Sequence, residues 1–69
     1  MTELEIFAKD IIESGGEFWT LETSTKGKLV KTVTHYTYQV FNREGKRIFI
    51  DTSLTTARAV YDSMIEGRL

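Results

Sequence analysis

No cysteine and no proline occur in these 69 residues, and there is a single histidine. Without cysteine the chain forms no disulfide and offers no thiolate to a metal. A core this small leaves only about 3–5 kcal/mol of net stability, so the apolar residues must pack efficiently or a partner subunit must help. Long hydrophobic runs are also missing. The longest apolar stretches are two or three residues, such as Ile48-Phe49-Ile50, far short of a membrane span. The start, Met1-Thr2-Glu3-Leu4-Glu5, is acidic, unlike the basic opening of a secretory signal. These absences lead to the expectation of a cytoplasmic protein with no membrane partner. There are no repeats, low-complexity segments or visible linkers, so residues 1–69 are expected to form a single compact domain.

What is present is unevenly charged. The net charge is −1, which disfavours a wholesale DNA binder. Between Lys26 and Arg47, however, lie six basic residues (Lys26, Lys28, Lys31, Arg43, Lys46 and Arg47) and one acid, Glu44. The remainder holds three basic and nine acidic residues. The basic segment spans the expected hairpins, so it is a candidate for meeting an acidic partner, against the simpler reading of a solvated surface.

Periodicity predicts a helix over 3–14, where Leu4, Phe7, Ala8, Ile11 and Ile12 make one apolar face. Thr2 and Glu5 fit a capping box, and Ser14-Gly15-Gly16 stops the helix. Three strands are expected over 17–24, 29–41 and 47–51, rich in Thr, Val, Tyr, Phe and Ile. Glycine-containing turns at Thr25–Lys28 and Asn42–Gly45 join them into an antiparallel meander. A second helix over 53–66 is capped by Asp51, Thr52 or Ser53 and ended by Gly67. The expected class is α+β in the order α-β-β-β-α, with both helices packed on one face.

Register assigns the faces. A type I turn with Gly45 in a left-handed bulge pairs Asn42 with Lys46, Val40 with Ile48 and Tyr38 with Ile50. A loop at Lys26-Gly27 pairs Leu21 with Thr32 and Trp19 with Thr34, and sets Glu22 opposite Lys31. The core face then carries Trp19, Leu21, Tyr36, Tyr38, Val40, Ile48 and Ile50. The outer face carries Phe18, Val33, His35, Phe41, Arg47 and Phe49. Three phenylalanines on a face that is usually polar make this set the candidate partner-binding surface.

Chemistry-bearing motifs are sparse. His35 lacks a thiol or a neighbouring nucleophile, so no catalytic or metal site is expected, and no cofactor. Gly15-Gly16 precedes a strand, not a helix, which is the wrong context for a phosphate cradle. Glu17 reads as a strand-end carboxylate.

The α-β-β-β-α order resembles the double-stranded-RNA-binding domain in topology and length. The resemblance implies a lysine-rich grip on phosphates at the start of the second helix. Here that position reads Thr52-Ser53-Leu54-Thr55-Thr56-Ala57-Arg58, with one basic residue, so the resemblance carries architecture and not RNA binding. The expected function is a non-enzymatic module that docks another protein. By analogy of size and composition this is a small accessory protein of the phage or bacterial inhibitor kind. A homodimer that hides the phenylalanines and a single-stranded nucleic-acid platform on the same face are the alternatives.

Overall fold

A computed structural model describes residues 1–33 and 36–69. Among these, two helices and four strands follow in the order α1 (Glu3–Glu13), β1 (Phe18–Ser24), β2 (Gly27–Thr32), β3 (Tyr38–Asn42), β4 (Arg47–Asp51) and α2 (Leu54–Ile65). The strands form one antiparallel sheet in the order β1-β2-β3-β4. The α+β class is as expected, but there are four strands, not three. Among the described residues no helix is long and apolar enough to cross a membrane.

The extra strand comes from a turn inside the expected strand 29–41. Tyr36 has φ 52°, a left-handed conformation that a continuous strand does not accommodate. Thr32 and Thr37 close the hairpin. The Thr32 amide donates to the Thr37 carbonyl at 2.8 Å, and the Thr37 amide donates to Thr32 Oγ1 at 3.1 Å. Segment 32–37 contains no glycine, proline, asparagine or aspartate. Its threonine hydroxyls take over the local bonding that those residues usually supply. The resemblance to the RNA-binding domain rested on three strands and lapses with them.

Both helix starts are capped by side chains. At α1 the Glu5 amide donates to Thr2 Oγ1 and the Thr2 amide donates to Glu5 Oε1, completing the expected box. Hydrogen bonds from the backbone and then the hydroxyl of Thr2 hold the Glu5 carboxyl below its ordinary pKa. The next amide, Leu4, donates to the Gly45 carbonyl at 2.8 Å, so the β3–β4 turn anchors the helix. At α2 Ser53 Oγ accepts from the Thr56 amide. At its other end Lys26 Nζ donates to the Ile65 carbonyl at 2.9 Å, satisfying one orphan carbonyl of the last turn.

The helices lie on opposite faces of the sheet, which corrects the expectation of one shared face. Leu29 and Val40 pack with Ala57, Tyr61 and Met64 of α2, and Leu21, Tyr38 and Phe49 border that cluster. Phe41 follows Val40 and points the other way. There the Phe7 ring of α1 meets both Phe41 and Phe18, with centroids 5.4 Å apart in each case.

The strand register also differs from the expected one by one residue. The Gly45 turn forms as expected, with φ 79°, its amide on the Asn42 carbonyl, and the Asn42 amide on the Lys46 carbonyl. Ile48 then bulges out of the ladder, so Val40 pairs with Phe49 and Tyr38 with Asp51, not with Ile48 and Ile50. Shifting a strand by one residue moves its side chains to the opposite face. In the first hairpin the loop is Thr25-Lys26, with Ser24 opposite Gly27, and a second irregularity falls at Leu21. Trp19 therefore pairs with Lys31 and Glu22 with Leu29, and neither the Leu21–Thr32 nor the Glu22–Lys31 pair forms. Glu22 instead accepts from Arg58 of α2 at 3.1 Å. Trp19, Tyr36, Ile48 and Ile50, all expected in the core, are exposed.

Gly45 is where local conformation and helix docking meet. A Cβ there would lie 2.6 Å from Thr2 Oγ1 and Cβ, on top of the cost of a positive φ. Gly45→Val should therefore lose about 1–3 kcal/mol in a denaturant melt, and should loosen the α1 cap in the same variant. An unchanged midpoint would contradict this turn.

Candidate functional site

The expected outer-face surface is largely internal. Phe41 is fully buried and Phe18 is half-buried against Phe7. Phe49 sits on the opposite face, against the α2 cluster. Val33 is half-buried in the β2–β3 turn. His35 lies outside the described residues. Of the candidate set, Arg47 remains exposed on the α1 side, as the register partner of Phe41. Phe18, Phe41 and Arg47 are thus brought to one face, and α1 covers most of what was expected to be open.

The basic segment is dispersed as well. Lys26 is tied to the end of α2, and Arg43 and Lys46 flank the β3–β4 turn. Lys28 pairs with Phe41 and lies toward α1. Lys31 lies toward α2, its Nζ 5.9 Å from the centre of the Tyr38 ring. Lys28 and Arg43 share one shallow depression and Lys26 and Arg43 another, each with Glu44 in its lining.

What α1 leaves open is a cleft of about 260 Å³ between its side and β4, lined by Glu3, Ile6, Phe7, Asp10, Ile11 and Arg47. The five α1 residues recur at the spacing of one helical face. Their apolar members, Ile6, Phe7 and Ile11, make the floor. Ile6 is 47% exposed, and Ile50, on the Arg47 face of β4, is 51% exposed. Arg47 forms the far wall and is held in place. Its Nη1 donates to Oε1 of the buried Gln39 at 3.2 Å, and Gln39 Nε2 donates to Thr37 Oγ1 at 3.4 Å. Thr37 bonds Thr32, so a polar ladder runs beneath the cleft from β2 to β4. Among the described residues no buried side-chain nitrogen or oxygen is left without a partner, as a low-dielectric setting demands.

Glu3, Ile6 and Asp10 were not singled out by sequence reasoning. A signal was available in Ile6, a large aliphatic residue outside the expected stripe of Leu4, Phe7, Ala8, Ile11 and Ile12. Among the described residues the lining contains two carboxylates and a guanidinium but no hydroxyl, thiol or imidazole. Such a cleft can seat apolar side chains and pair with charges.

A second exposed feature lies on the α2 side. Trp19, Lys31 and Tyr38 form a cross-strand row over β1, β2 and β3, and Trp19 is 59% exposed. The carboxylates of Asp51, which pairs with Tyr38, and Glu22, bonded to Arg58, share that side.

No family model matches the chain, and neither does any curated protein or solved structure.

The placements are separable by stability. Phe41→Ala should cost about 3–5 kcal/mol, as for a buried aromatic. Ile50→Ala should stay within about 0.5 kcal/mol, as for a surface position. Chemical denaturation of both variants checks this, and similar midpoints for the two would overturn the face assignment.

Proposed function

We propose that this chain is a non-enzymatic protein-interaction module that docks a partner protein through the cleft between α1 and β4. The observation that carries the reading is the exposure of Ile6 over a concave floor of Phe7 and Ile11, with exposed Ile50 on the same face of β4 as Arg47. Exposed aliphatic side chains scattered singly need no explanation, but grouped around a concavity they mark an interaction site. A lining without hydroxyl, thiol or imidazole among the described residues supports binding over nucleophilic chemistry. The absence of cysteine supports a cytoplasmic setting for this accessory role.

Ile6→Asp and Ile50→Asp test the reading. Each should leave the thermal melt nearly unchanged and weaken capture of the partner by about 2 kcal/mol or more for at least one. Sedimentation of the unmodified chain separates a foreign partner from a second copy. A dimer that either substitution converts to monomer assigns the cleft to self-association. Capture that survives both substitutions removes the cleft from the function.

A second reading, single-stranded nucleic-acid binding, is favoured by one observation: Trp19 is exposed beside Lys31 and Tyr38 on the other face. Trp19 is the only tryptophan, so its fluorescence reports on this row alone. If the row stacks bases, single-stranded oligonucleotides should quench it saturably at physiological salt. Quenching confined to low salt is nonspecific attraction and removes the reading.

A further inference from the structure

We infer that the segment received by the α1–β4 cleft is cationic and amphipathic, with apolar side chains on Ile6, Phe7 and Ile11 and a lysine or arginine toward each of Glu3 and Asp10. The inference rests on the cleft being the docking surface, and adds the chemistry of what enters it.

Helix α1 carries four acids. Glu5 is engaged by Thr2 in the cap. Glu13 lies 3.9 Å from Lys9 in a same-helix pair. The other two, Glu3 and Asp10, are the two that line the cleft. Among the described residues neither has a cation within 4.0 Å. Arg47 lines the same cleft, yet its guanidinium is drawn to the Gln39 side chain and makes no ion pair with either. The helix therefore engages the acids away from the cleft and leaves the pair that faces it without an ion-pair partner among the described residues.

Spacing adds a constraint. Glu3 and Asp10 are seven residues apart, about 10 Å along the axis at 1.5 Å per residue. Ile6 and Phe7 fall between them. A partner helix with basic residues at i and i+7 and apolar residues at i+3 and i+4 reproduces this pattern with opposite charge, in the helix-in-groove mode. A nucleic acid fits poorly, because its phosphates would meet two carboxylates on the α1 wall.

The test uses the full chain, isotopically labelled, with three synthetic helical peptides. One carries lysine at i and i+7 around leucines, the second glutamate at those positions, the third glutamine. A single-stranded oligonucleotide is a fourth arm. Amide and methyl shifts map the contact. The lysine peptide should move Ile6, Ile11 and Arg47 saturably, and bind about tenfold or more tighter than the glutamate peptide at low salt. The advantage should shrink as salt rises. Joint replacement Glu3→Gln and Asp10→Asn leaves Thr2 and Glu5 in place, so the fold should persist while the lysine peptide loses that advantage. Equal cleft binding by all three peptides overturns the charge inference and leaves the docking reading standing. If no peptide shifts the cleft residues, the docking reading falls and this inference with it. Oligonucleotide shifts at Ile6 and Arg47 would assign the cleft to nucleic acid instead.

Discussion

The distribution of β4 side chains between the two faces of the sheet depends on one extra residue in that strand. With Ile48 out of the ladder, Phe49 turns toward α2 while Arg47 and Ile50 turn toward α1. Without the bulge, Ile48 and Ile50 would turn toward α2 and Phe49 toward α1, while Phe41 on β3 would keep its face against Phe7. Burying a phenylalanine is worth about 1.5–3 kcal/mol relative to leaving it exposed, comparable to the whole margin of a domain this small. The slip therefore decides which β4 side chains each helix meets, Phe49 beside α2 and Arg47 and Ile50 on the α1 side.

Two further contacts hold the cleft open. Gly45 offers its carbonyl to Leu4 and its bare α-carbon to Thr2, which sets where α1 begins. From there α1 descends with Phe7 over Phe18 and Phe41. On the other wall, the ladder Thr32–Thr37–Gln39–Arg47 fixes the arginine from below. Both walls rest on bonds made inside the fold, so a ligand entering between them meets a largely preformed surface, which limits the ordering cost of binding.

Much of the fold was legible from residues alone. Both helices, their caps, the Gly45 turn and the antiparallel meander follow from periodicity and punctuation. Three things did not. The β2–β3 turn is built by threonines and a left-handed Tyr36, residues that read as strand. The bulges at Leu21 and Ile48 have no glycine to mark them, and each shifts the pairing by one. The placement of α1 is the third: the expected outer face already held Phe18 and Phe41, and nothing in the residues assigned the helix to cover them. The candidate site suffered most for that reason. Face assignment in a sheet is binary, and a single unmarked bulge inverts it. Arg47 kept its place because it lies on the turn side of the bulge.

The irregularities at Leu21 and Ile48 share another property. β1 and β4 are the two outer strands of the sheet, and each carries one. A regular outer strand presents an even row of unpaired amides and carbonyls, a template on which a further strand of any chain can add. A bulge breaks the spacing of that row and twists it away. In a chain without proline to interrupt its edges, these two residues take over the task and disfavour growth of the sheet at both sides, the open-ended backbone pairing that builds fibrils.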